Sequence, residues 1–250
     1  MADQPLVDPL LLSNFIHQII NPLSGVIGTL DNIIDGTIKE SGRRQQRLKA
    51  VRAQLVHWIE MVRNLAFLSQ LTSDQGAVGL KENATEVNMP TVVIEAAQFF
   101  QERAEQQKMH IDLTDKKTQF MVKGHPHLLR QVFMNLFENA IKYGDAETRI
   151  AVTPHAQKRT RNLIIEITSI GCGFDPDERE KIFELAYRGA AAQQITASGT
   201  GLGLFICKRI LEIAHNATIE AEYSLTTRRT TFRIRFPNHW IGDAYVEGKN

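Results

Sequence analysis

The sequence predicts an α+β chain in two parts, an N-terminal helical hairpin followed by a domain of helices on a sheet. Three observations carry that expectation. Between Leu12 and Leu68 apolar residues recur in steps of three and four, the helical period. From Thr91 to Phe236, helical periods alternate with short strand-like runs. The stretch Gly199-Thr200-Gly201-Leu202-Gly203-Leu204 sets glycines at alternate positions directly before an apolar helix.

Length and composition bound the function. A chain of 250 residues holds one large domain or two modest ones. With 43% hydrophobic and 23% charged residues it has an ordinary globular composition. A formal net charge of +1 gives no ground for a nucleic acid or an anionic membrane as partner. Cys172 and Cys207 are too few for a disulfide framework, which favours a reducing cytoplasm. No apolar run approaches the roughly 20 residues of a membrane span, and no secretory signal opens the chain. A membrane-crossing segment is therefore not expected in this polypeptide.

The first helix is expected from about Pro9 to Lys39, with Leu12, Phe15, Ile16, Ile19, Leu23, Ile27, Leu30 and Ile34 among its apolar positions. Ser41-Gly42 reads as a turn. A second helix follows, with Leu48, Val51, Leu55, Trp58, Val62 and Leu65 on one face. A lone hairpin cannot bury so wide an apolar face, and pairing with a second copy into a four-helix bundle would do so. A polar and small stripe, Ser13, His17, Asn21, Ser24 and Gly28, crosses the first helix. His17 and Asn21 lie one turn apart, and Pro22 should bend the helix beside them. Taken alone, His17 reads first as a solvent-facing histidine on an amphipathic helix.

Residues 72–86 are polar, with Gly76, Gly79 and Asn83, and read as a linker. Helices are then expected at Thr91–Lys108, His127–Tyr143, Asp177–Phe183 and 202–214. Strands are expected at Met109–Leu113, Gln119–Val122, Arg149–Thr153, Leu163–Thr168, Thr218–Tyr223 and Thr230–Phe236. The small residues of Arg188–Ser198 read as a loop, and residues 238–250 as a tail without an assigned role.

The helix over 130–143 carries chemistry opposite its apolar face. Asn135, Asn139 and Lys142 fall together at steps of four and three. Asparagine is a poor interior helix former, so the pattern suits an oxygen ligand for Mg²⁺ beside a cation for phosphate, or else a solvated face. The glycine turn at 199–203 opens a helix whose unpaired N–H groups and positive dipole end suit phosphate.

These residues resemble a family. Asn135 to Tyr143 is similar to the N box of sensor histidine kinases, and Gly171-Cys172-Gly173-Phe174 to their G1 box. Ile182-Phe183-Glu184 with Tyr187-Arg188-Gly189 resembles the F box, and Gly199 to Leu204 the G2 box. Phe15 to Leu23 resembles the H box, with His17 and the pair Pro22-Leu23. The order and separations fit over residues 9–237.

The resemblance implies a dimerisation and histidine-phosphotransfer domain over 9–71, a linker over 72–86, a Bergerat-type ATP-binding α/β sandwich over 87–237 and a tail over 238–250. It implies a homodimer that uses ATP and Mg²⁺. His17 would accept the γ-phosphoryl group and pass it to an aspartate in the receiver domain of a response regulator. Asn139 would hold Mg²⁺, with Asn135 and Lys142 supporting the phosphates and Tyr143 near the adenine. Gly171 and Gly173 would let the backbone pass the nucleotide closely. Arg188 would begin an ATP lid over 188–198, and Gly199, Thr200, Gly201, Leu202 and Gly203 would shape the phosphate side. Asn21 implies phosphatase activity towards a phosphorylated response regulator.

Three positions qualify this reading. In ATP-hydrolysing relatives a glutamate stands four residues before the Mg²⁺ asparagine; here it is Asn135, a poor base, which disfavours a clamp ATPase. The G1 box usually begins with an aspartate that accepts from the adenine amino group; here it is Ser169, without charge. The residue after the phosphoacceptor is usually acidic; Gln18 can orient the imidazole and cannot take its proton. The sequence thus supports an autophosphorylating kinase, with a kinase-weak or kinase-dead phosphatase or phosphotransfer scaffold as the alternative.

Overall fold

The computed structural model describes residues 23–37, 42–52, 54–55, 62, 83–157, 159–195, 199 and 201–241. The chain divides into two units, Met1–Gly76 and Ala77–Asn250.

In the first unit residues 23–34 and 42–52 are helical. Val26 and Ile33, seven residues apart, share a buried stripe with Val51 buried as well, whereas Ile34 is 78% and Ile27 57% exposed. The first helix stops at residue 34 rather than running to Lys39, because Gly36 turns into the left-handed region at φ +70°.

The second unit runs β1 (Thr85–Asn88), α1 (Met89–Gln106), β2 (His110–Leu113), β3 (Phe120–Gly124), α2 (Pro126–Tyr143), β4 (Arg149–Gln157) and β5 (Asn162–Ile170). It continues through α3 (Ala190–Ile195), α4 (Gly203–His215), β6 (Thr218–Ser224), β7 (Arg229–Phe236) and β8 (Trp240–Ile241). Prolines in the first turns of α1 and α2 set the starts of both helices, where a missing N–H costs nothing.

Strands β2-β4-β5-β7-β6 form a five-stranded sheet, antiparallel except for the β2–β4 pair, and β1-β3-β8 form a smaller antiparallel sheet. One face of the large sheet is aliphatic: Leu163, Ile165 and Ile167 of β5 lie in register with Phe236, Ile234 and Phe232 of β7, all buried. It meets the apolar faces of α2 and α4, where Val132, Phe133, Leu136, Ile206 and Ile210 are buried. The other face is a polar cross-strand ladder. Arg233 Nε donates to Glu166 at 2.7 Å and its Nη1 to Glu220 at 3.0 Å, so opposite charges face each other across three strands.

Several elements differ from the sequence expectation. β1 starts at Thr85, inside the expected linker, and Trp240–Ile241 at the start of the expected tail pairs with β3. The expected helix over Asp177–Phe183 is two 3-10 turns, Pro176–Glu178 and Lys181–Phe183. There the Glu178 side chain reaches back to the Asp175 N–H, which closes a tight turn instead of extending a helix. Residues Ala190–Ile195, expected as loop, form α3, in line with three consecutive alanines.

Candidate functional site

The site grows from the N-terminus of α4. Gly201 holds φ +69° against the carbonyls of Ala186 and Tyr187; a Cβ there would sit 2.6 Å from the Tyr187 oxygen. Only glycine accepts both that conformation and that approach. It delivers the chain to buried Leu202 and to Gly203, where the helix begins. Leucine carries no polar side-chain atom and no side chain caps this end, so the positive dipole end of α4 faces whatever lies before it.

α2 supplies the facing side. Asn135 Nδ2 donates to the Gly203 carbonyl at 3.3 Å, which ties the two helices where α4 begins. Asn139 lies one turn further along α2, half-buried. Lys142 follows, and its ammonium would stand 2.9 Å from a Cβ on Gly199; Arg188 Nε would stand 3.6 Å from the same point. Two cations thus converge on a glycine. Burial pushes the Lys142 pKa down, opposed by the Glu138 carboxylate and reinforced by Arg188 and Arg103. An anion entering here would relieve that strain on the charged form. Glu138 itself pairs with Arg103 of α1 at 3.7 Å.

A second glycine turn is bound to the end of α2. Cys172 N–H donates to the Tyr143 carbonyl and Asp145 N–H to the Ile170 carbonyl, both at 2.8 Å, and Gly144 bridges Gly171. A Cβ on Gly171 would fall 2.3 Å from the Tyr143 oxygen. Gly173 lies under the Tyr223 ring, where a Cβ would meet a ring carbon at 2.1 Å. Ser169 continues the inner row of β5, in register with Thr230 of β7, which is in register with Tyr223 of β6. The aliphatic face of the sheet therefore ends in hydroxyl groups beside the glycine turn. Burial pushes the Tyr143 hydroxyl pKa up, with Arg188 pulling the other way.

The structure brings Asn135, Lys142, Arg188, Gly199, Gly201, Leu202 and Gly203 into one group. Tyr143, Ser169, Gly171 and Gly173 form a second, adjoining through the neighbours Lys142 and Tyr143. His17, Gln18, Asn21 and Thr200 lie outside the described residues. Sequence reading missed Tyr223, the Asp145–Arg228 ion pair at 2.9 Å, and the contacts of Glu178. The inward alternation of Ala221 and Tyr223 was the available signal for the first; the others depend on folding alone.

A helix N-terminus, two converging cations and backbone exposed at glycines bind phosphate groups, and the adjoining polar floor suits a heterocyclic base. The geometry is that of an α/β sandwich with a site suited to a nucleotide. Residues 124–239 match the family described as "Histidine kinase-, DNA gyrase B-, and HSP90-like ATPase". Sensor-like histidine kinase SenX3 of Mycobacterium tuberculosis is 28% identical over 226 residues, which cover 90% of this chain and 53% of SenX3. The Acinetobacter baumannii histidine kinase AdeS superposes with a TM-score of 0.63 at 25% identity, covering 88% of this chain and 97% of that one. Histidine kinase ThkA, in complex with the response regulator TrrA, shares the fold with a TM-score of 0.63 at 16% identity, over 92% of this chain and 61% of that one. Residues 124–239 are a domain of that ATPase family, and the chain is homologous to sensor histidine kinases. It spans between 23% and 53% of the first curated relatives it matches.

Proposed function

We propose that this chain is an ATP-dependent protein-histidine kinase of two-component signalling. It transfers the γ-phosphoryl group of ATP to His17 and from there to an aspartate in the receiver domain of a response regulator. The observation that carries the reading is the convergence of Lys142 and Arg188 on Gly199 at the start of α4, inside a segment of an ATPase family.

Phosphoryl transfer asks for positioning and charge neutralisation more than for covalent help. Lys142 and Arg188 neutralise the phosphates, and the N-terminal N–H groups of α4 orient them. Asn135 holds α4 against α2, so the cations and the helix end keep one geometry. Asn139 is the side chain that would hold Mg²⁺, together with phosphate oxygens and water, as this ion usually requires. Bound there, the ion would neutralise charge on the phosphates. Tyr143, Ser169, Gly171 and Gly173 face the base. His17 attacks as a neutral imidazole, available near neutral pH because its ordinary pKa is about 6.5. Gln18 orients the ring while solvent takes the proton.

The proposed partners follow the same reading. The exposed Ile27, Ile34 and Leu48 support a homodimeric four-helix bundle built from residues 9–71. ThkA's complex with a response regulator supports a receiver domain as the acceptor. Among the described residues no helix is long and apolar enough to cross a membrane, and the two-cysteine composition supports action in the cytoplasm. Gln18 and Ser169 favour a second reading, a phosphatase or phosphotransfer scaffold with Asn21 placing the attacking water.

Autophosphorylation with γ-labelled ATP and Mg²⁺ separates the two. Acid-labile, base-stable label on the native chain and none on His17→Ala supports the kinase. ATP binding without label refutes it and turns the test to dephosphorylation of a phosphorylated receiver domain, native against Asn21→Ala.

A further inference from the structure

One carboxylate outside the phosphate cradle gathers the segment that leads into it. Glu178, on the first 3-10 turn, accepts hydrogen bonds from the Asp175 N–H at 3.0 Å, the Tyr187 hydroxyl at 2.9 Å and the Ala190 N–H at 3.1 Å. A Cβ on buried Gly189 would lie 3.0 Å from the same carboxylate, so glycine there leaves room for it. Residues 187 and 190 bracket Arg188, one of the two cations that face Gly199. The Arg188 backbone is held again from inside α3, where Gln193 Nε2 donates to its carbonyl at 2.7 Å.

The far end of the same loop returns to this anchor. Gly201 packs against the carbonyls of Ala186 and Tyr187, and Gly199 against Lys142 and Arg188. Residues 186–190 therefore hold the start of α3 and also meet Gly199 and Gly201. From outside this stretch, Glu178 is the side chain seen to hold its start, through Tyr187 and Ala190.

We propose that Glu178 is a positioning residue for the nucleotide site: by latching Tyr187 and Ala190 it fixes Arg188, the cation that faces Gly199, and sets how slowly nucleotide leaves. The inference rests on the nucleotide reading above. The latch stays charged at neutral pH. Burial raises the Glu178 pKa, but the N–H groups of Asp175 and Ala190 and the Tyr187 hydroxyl outweigh it and hold the group below the usual carboxylate range. Tyr187 is the complementary half, its hydroxyl pKa raised by donation to Glu178.

The test uses the full chain, Mg²⁺ and a fluorescent N-methylanthraniloyl-ATP, chased with unlabelled ATP in a stopped-flow instrument. Glu178→Gln keeps the volume but places an NH₂ against a ring of donors, and dissociation is expected to quicken about tenfold. Tyr187→Phe removes one hydroxyl without disturbing the chain path, and dissociation is expected to quicken about threefold. Association should stay within about twofold in both, and the double variant should dissociate no faster than Glu178→Gln alone, because the two groups form one unit. Native dissociation rates in both variants, even with lowered melting temperatures, would overturn the latch and leave the nucleotide site intact. Absence of nucleotide binding by the native chain would overturn the nucleotide reading and the latch with it.

Discussion

His215 makes the second unit sensitive to acid, and the size of the effect follows from its surroundings. The side chain lies at the end of α4, 7% exposed. Its Nδ1–H donates to the Ile210 carbonyl at 3.0 Å, and its Nε2 accepts the His125 N–H at 3.0 Å. Gly124 is glycine because the ring fills the space of a Cβ, 2.3 Å from Cδ2. Protonation would set a second donor against the His125 N–H inside a buried pocket near His125 and His127. Burial foremost pushes the pKa from 6.5 down to about 4. The unfolded chain then binds a proton between pH 6.5 and about 4 that the folded chain refuses, so stability falls as pH falls through that window. The loss amounts to about 2 kcal/mol at pH 5 and about 3 kcal/mol at pH 4. His215→Gln keeps an acceptor for His125 and cannot titrate. Urea unfolding followed by Trp240, in a Trp58→Phe background, should show the native chain losing stability relative to His215→Gln by about these amounts on acidification. Parallel pH profiles for the two chains would refute the assignment of the acid sensitivity to His215.

Other expectations follow from the same geometry. Lys142→Met should weaken ATP binding about tenfold and flatten its salt dependence, read by titration with a fluorescent analogue at low and high salt. Gly201→Ala should cost about 1–2 kcal/mol from its positive φ alone, with the carbonyl contact added, and should abolish nucleotide binding; calorimetry and titration read both. Gly42→Ala meets nothing within 4 Å and should be neutral or stabilising by about 0.5–1 kcal/mol, so the two glycines separate backbone requirement from composition. Ile34→Glu, on a side chain 78% exposed, should shift the chain towards monomer in sedimentation velocity if this face joins two copies.

The long periodic elements were legible in the sequence because they bury one face against one core. α2 and α4 lie within a residue or two of expectation, and so does the hairpin of β6 and β7. β4 and β5 run longer than expected because their antiparallel pairing continues through Pro154 and His155 as far as Gln157 and Asn162. β1 and β8 escaped because four and two residues are too few to show a period. They exist only through pairing with β3. The same division holds at the site. Glycines announce their own need for close approach, so Gly171, Gly173, Gly199 and Gly201 could be picked out one at a time. Tyr223 is marked only as an inward strand position and reaches the glycine turn across the sheet, whereas Glu178 carries no local mark and contacts Tyr187 nine residues on through two tight turns.

Under the proposed function, the division of the site into a charged end and a neutral end decides where binding energy resides. At the neutral end stand Ser169, Thr230 and Tyr223, hydroxyl groups that accept or donate with equal ease. The nearby carboxylate, Asp145, is already paired with Arg228 at 2.9 Å, so its charge is spent within the protein. At the other end Lys142 and Arg188 share one glycine, and burial works against the charged form of Lys142 until an anion arrives. Hydrogen bonds to charged groups are about twice as strong as neutral ones. Affinity should therefore follow the phosphates more than the base: it should fall steeply with salt and with each phosphate removed, and only weakly when the purine is changed. That balance makes the cations Lys142 and Arg188, rather than the base pocket, the part of the fold that governs how firmly the nucleotide is held.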